Sequence, residues 1–111
     1  MTAYLIATCR DVEDRAAFDE YVSLARPTLA GYDAKALAFY TPFTVLEGKL
    51  PLLGVVVIEF ASKEVADSWY HSPAYQAAID KRRGLVDFEF VLVEGGAVKS
   101  RDIMPEVKGR K

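Results

Sequence analysis

The chain has 111 residues, 51% of them apolar and 27% charged, with a formal net charge of −2. That length fits one domain with a modest core, and the charge gives the body no attraction to nucleic acid or anionic lipid. One cysteine, Cys9, excludes an internal disulfide, and one cysteine with one histidine makes no zinc-type cluster.

The N-terminus has no basic leader and reads as a first strand. No apolar stretch reaches the roughly 20 residues a membrane span requires. A soluble cytoplasmic protein is expected, with no membrane and no nucleic-acid partner. Ala3–Cys9 is short and apolar, as in a strand buried on both sides. Cys9 reads there as a small buried hydrophobe. Asp14 is placed to cap a helix running to about Ala30. Phe18, Tyr21, Val22, Ala25 and Leu29 form its apolar stripe, with Asp19, Glu20, Ser23 and Arg26 opposite. Pro27 should kink or end its last turns, and Gly31 stops it.

Ala34–Tyr40 and Thr44–Glu47 predict a second strand, bent around Thr41-Pro42. A turn with Gly48 and Pro51 leads to a third strand, Gly54–Phe60. Ser62 caps the next helix, whose apolar face is Val65, Ala66, Trp69 and Tyr70. Ser72-Pro73 interrupts it, because a residue before proline disfavours the helical region. A further piece, Ala74–Arg83, turns Tyr75, Ala78 and Ile79 inward and ends at Gly84. Val86–Glu94 is the fourth strand, with Val86, Phe88, Phe90 and Leu92 on one face and Asp87, Glu89, Val91 and Val93 on the other.

The order βαββαβ predicts a ferredoxin-like α+β sandwich over residues 1–96, a four-stranded antiparallel sheet with two helices on one face. Residues 97–111 read as an extended, net basic tail, whose Ile103, Met104 and Val107 offer a stripe for docking on a neighbouring subunit. Two helices leave one sheet face open, and an open face should alternate with polar residues. The third strand does not: Leu53, Val55 and Val57 lie on one face, Val56, Ile58 and Phe60 on the other. The simplest cover is a second copy, giving a homodimer or a higher homo-oligomer.

The chain resembles the domain-of-unknown-function family 1330, in the dimeric α/β-barrel superfamily. The matching residues are Tyr4-Leu5-Ile6, Phe18-Asp19-Glu20-Tyr21, Val45-Leu46-Glu47-Gly48, Val57-Ile58-Glu59-Phe60, Trp69-Tyr70-His71-Ser72-Pro73-Ala74-Tyr75-Gln76, Arg82-Arg83 and Val93-Glu94-Gly95. The resemblance implies two ferredoxin-like subunits paired through their sheets, and no particular reaction. Two departures stand out. Gly31-Tyr32-Asp33-Ala34-Lys35 replaces the family's His-Gly-Gly-Arg-like turn, and Leu52 and Leu53 stand where the family often has arginine.

Glu59 shares a strand face with Val55 and Val57 and is the candidate acid/base or ligand-orienting group of a cleft between sheet and helices. Arg82 and Arg83 are its candidate partners, and a structural ion pair or a strand-end carboxylate near solvent is the plainer alternative. Tyr4, Tyr40, Trp69, Tyr70 and Tyr75 are candidate walls, so the expected binding set is Tyr4, Tyr40, Glu59, Trp69, Tyr75 and Arg82. Such walls suit small planar or carbonyl-bearing ligands, although aromatics at helical spacing more often pack a core. His71, four residues after Asp67, reads as half of a surface charge contact rather than a general base. No phosphate loop or nucleophile elbow is present, and neither a metal nor another cofactor is expected. The expected function is a homodimeric small-molecule-binding protein or cofactor-independent enzyme. The alternative is a non-catalytic dimeric structural or interaction module. Superfamily relatives include cofactor-independent monooxygenases and haem-degrading enzymes, an analogy of fold alone.

Overall fold

The computed structural model describes residues 1–49 and 52–96. The expectations for Pro51 and for the tail lie outside the described residues. Strands β1 (Thr2–Val12), β2 (Ala34–Phe39), β3 (Gly54–Phe60) and β4 (Val86–Gly95) form one antiparallel sheet in the order β2-β3-β1-β4. Helices α1 (Arg15–Ala25), α2 (Lys63–Tyr70) and α3 (Pro73–Asp80) cover one face of it. The architecture is the expected α+β ferredoxin-like sandwich. No described helix is long and apolar enough to cross a membrane.

Side-chain caps fix the helix starts. Asp14 accepts from the Ala17 amide at 3.1 Å, and Ser62 from the Val65 amide at 3.2 Å. Ser72 serves two helices. Its hydroxyl donates to the Trp69 carbonyl at the end of α2, 2.7 Å away, and accepts from the Tyr75 amide that opens α3, 3.3 Å away. Pro73 then stands in the first turn of α3, where a missing amide hydrogen costs nothing.

The elements differ from expectation at several places, among them the last helix, which ends at Asp80 rather than Arg83. The first α-helix ends at Ala25 rather than near Ala30, and the chain tightens into a 3₁₀ turn over Arg26–Leu29. Pro27 lacks the donor that a further α-turn needs. Thr44–Glu47 is not a strand. β2 stops at Phe39 because Tyr40 takes a left-handed backbone, φ 56°. Asp67 does not pair with His71: its carboxylate takes the Lys63 ammonium at 2.6 Å, and His71 instead closes α2 through its backbone amide. Within β2, the register against β3 shifts between Ala36 and Ala38, which leaves Leu37 as a bulge residue, exposed.

The sheet faces sort by alternation. Ala3, Leu5, Ala7 and Cys9 of β1, with Val56, Ile58 and Phe60 of β3, point toward the helices and are buried. They join Tyr21, Ala25, Ala66, Trp69, Tyr75, Ala78 and Ile79 in the core, with Phe88, Phe90 and Leu92 of β4 half-buried beside them. The opposite face carries Tyr4, Ile6 and Thr8. Across it, Ile6 stands in register between Val57 and Val91, and Tyr4 between Glu59 and Val93. Ile6 is 37%, Val91 57% and Val93 43% exposed there.

Candidate functional site

The interior between sheet and helices holds a small pocket of about 30 Å³, room for one or two water molecules. Leu5, Ala7, Val56 and Ile58 floor it from the sheet, and Tyr21, Ala25 and Arg26 reach it from α1 and the turn after it. Trp69, Tyr75, Tyr40, Phe39 and Phe90 complete the walls. A wider groove of about 270 Å³ adjoins it. Leu5, Trp69 and Phe90 border both spaces, and Tyr70, Asp67 and His71 rim the groove.

Two tyrosines from different helices meet at the pocket. The Tyr21 and Tyr75 hydroxyls lie 2.7 Å apart, one donating to the other. Their rings stand edge to face, and Trp69 packs against Tyr75 with centroids 4.1 Å apart. The indole Nε1–H of Trp69 donates to Thr28 Oγ1 at 2.9 Å, which fixes the ring from the 3₁₀ turn. Burial pushes the Tyr75 hydroxyl well above the ordinary tyrosine range, with Tyr21 adding to the shift and the Arg82 guanidinium opposing it. Burial raises Tyr40 in the same way. At neutral pH these hydroxyls are protonated and can donate.

Tyr40 owes its place to its left-handed backbone and to Gly54. A Cβ on Gly54 would stand 2.6 Å from Tyr40 Cδ1, so the ring lies where a side chain would otherwise be. Arg82 sits behind the tyrosine pair, its guanidinium 4.7 Å from the Tyr21 and Phe88 ring centroids and 5.2 Å from that of Phe90. Its buried Nε has no hydrogen-bond partner. Arg26, by contrast, lines the pocket itself, stacked over Phe39 at 4.8 Å.

Of the residues expected in the cleft, the fold brings Tyr40, Trp69 and Tyr75 around one pocket, with Arg82 behind. Tyr4 and Glu59 are elsewhere. They are register partners on the sheet face away from the helices, so Glu59 is not in the cleft between sheet and helices. Glu59 borders a shallow depression with Thr2, Asp33 and Lys35 instead. Neither Arg82 nor Arg83 is its partner: Arg83 pairs with Asp80 at 3.1 Å. The physical reason is the alternation itself. Glu59 does share its face with Val55 and Val57, but the residues aimed at the helices are Val56, Ile58 and Phe60.

Sequence reasoning missed Tyr21, Arg26 and Phe39. For Tyr21 a signal existed, a hydroxyl-tipped ring on an apolar stripe that needs a buried partner. Arg26 falls on the polar side of an extended α-helix, and it reaches the pocket where the helix gives way to the 3₁₀ turn. Among the described residues, no group of three or more His, Cys, Asp or Glu side chains could hold a metal ion.

Residues 2–96 match the family described as a domain of unknown function, DUF1330. The chain belongs to the DUF1330 family. No curated protein matches it. Among solved structures, this DUF1330 chain is similar to a protein of unknown function from Rhodopseudomonas palustris, with 15% identity, TM-score 0.69, and 87% of this chain and 84% of that one covered. It is also similar to a putative antibiotic biosynthesis monooxygenase from Deinococcus radiodurans (18% identity, TM-score 0.56, 90% and 97% covered). A third is SnoaB, a cofactor-independent oxygenase from Streptomyces nogalater (11% identity, TM-score 0.52, 89% and 95% covered). At these identities the likeness is one of fold.

Proposed function

We propose that this protein is a homodimer, paired through its open sheet face, that binds a small planar molecule between sheet and helices. The observation that carries the ligand is the Tyr21–Tyr75 hydroxyl pair, 2.7 Å apart in a pocket walled by Trp69 and Tyr40. Buried hydroxyls in an aromatic slot can orient a polar group on a flat body. Support for the dimer is the row Val57–Ile6–Val91, apolar and partly exposed at the centre of the uncovered face. Oxygenation without a cofactor is the chemistry named for SnoaB. Such an activity would ask this chain to bind, orient and shield the substrate from water, which an aromatic pocket does.

The pocket's small free volume, about 30 Å³, favours a second reading, in which these aromatics only pack and the protein is a non-catalytic dimeric module. Trp69 is the sole tryptophan and borders both pocket and groove, so its fluorescence reports on either. Titration with benzaldehyde, benzamide and benzoate should give a saturable change with at least one of them, at a Kd of about 1 mM or tighter. Silence with all three leaves the packing reading.

A further inference from the structure

The chemistry of the pocket wall is one-sided. The residues with polar side-chain groups that line it are Tyr21, Tyr40, Tyr75, Trp69 and Arg26. Among the described residues lining it there is no carboxylate, histidine or side-chain amide. The indole hydrogen is already used on Thr28. The Tyr21–Tyr75 contact uses one of two hydroxyl hydrogens and leaves the other to donate. Each group left over can donate, and the Arg26 guanidinium can do nothing else.

The charges point the same way. Arg26 forms no ion pair among the described residues, and neither does Arg82. On the helices beside them Asp19 pairs with Arg15, Glu20 with Lys81 and Asp80 with Arg83. Arg82 Nε is buried without an acceptor, an arrangement that native interiors rarely leave unexplained. Two guanidinium groups thus flank an apolar pocket whose described lining holds no carboxylate, and their field favours an anion.

Resting on the ligand-binding reading above, we propose that the pocket selects a small planar carboxylate. Its carboxylate meets Arg26 and the free tyrosine hydroxyl, and its flat body lies along Trp69. The resting pocket is only water-sized, so wall side chains yield as the body enters.

The test uses the intact protein, with Trp69 fluorescence as readout and benzoate and its neutral isostere benzamide as probes. Benzoate should bind at least about tenfold more tightly, the value of a charge-assisted hydrogen bond. Arg26→Gln, a change at an exposed residue, should erase that preference by weakening benzoate binding to about that of benzamide, with thermal denaturation checking that the variant is folded. Equal binding of the two probes overturns the carboxylate inference and leaves the pocket reading intact. A benzoate preference that survives Arg26→Gln also overturns it, because the charge then acts from elsewhere. If neither probe perturbs Trp69 the carboxylate inference falls, and if benzaldehyde is silent as well the reading beneath it falls too.

Discussion

The Tyr75 hydroxyl is held by Tyr21 inside a packed interior, and its proton is correspondingly hard to remove. An unfolded chain releases a tyrosine proton near pH 10, its ordinary value. Above about that pH the native state therefore binds more protons than the unfolded one, and stability falls as pH rises. Tyr40 and Cys9 shift in the same direction, again chiefly through burial. The melting temperature should hold level up to about pH 8, begin to fall as the unfolded thiol ionises at about pH 8.5, and drop steeply beyond about pH 10. Tyr75→Phe should cost about 1–3 kcal/mol at neutral pH, because it leaves the Tyr21 hydroxyl short of a buried partner. It should also make the alkaline decline shallower, as thermal denaturation across pH would show.

The strand–helix boundaries depend on single residues. Asp14 and Ser62 were legible as caps because their side chains answer a local need, free amides at a helix start. The end of β2 was not legible. Nothing in Ala34–Tyr40 marks Tyr40 as left-handed, since its conformation depends on the space above Gly54, fourteen positions further along the sequence. Gly54→Ala should destabilise the protein by about 1–3 kcal/mol, the usual range for overpacking a tight site. Chemical denaturation measures this, and a loss below about 0.5 kcal/mol would show that the ring moves freely aside. The candidate site was half legible for a related reason. Helix periodicity aimed Trp69 and Tyr75 correctly, because α2 and α3 are polar on their outer sides. Strand alternation could not aim Glu59, because β3 is apolar on both faces and the pattern is silent about which face the helices take.

At the scale of the molecule, the two-sided apolar character that hid the position of Glu59 is also what made an open face readable from sequence. Element order and the four-stranded sheet followed from periodicity and turn residues, and the structure bears them out. The pairing of whole molecules leads to a concentration effect. If the outer face is an interface, the melting temperature rises with protein concentration, and Ile6→Asp gives a monomer by light scattering with that dependence gone. A monomer in the unsubstituted protein at micromolar concentration would end the dimer proposal. The central strand β1 carries this further through the parity of its residues. Odd positions, Ala3, Leu5, Ala7 and Cys9, belong to the subunit's own interior, and even positions, Tyr4, Ile6 and Thr8, to the outer face. Damage at an odd position should therefore appear as a loss that dilution does not alter, and damage at an even position as one that deepens as the protein is diluted. One strand, read by alternate residues, separates the stability of the subunit from that of the assembly.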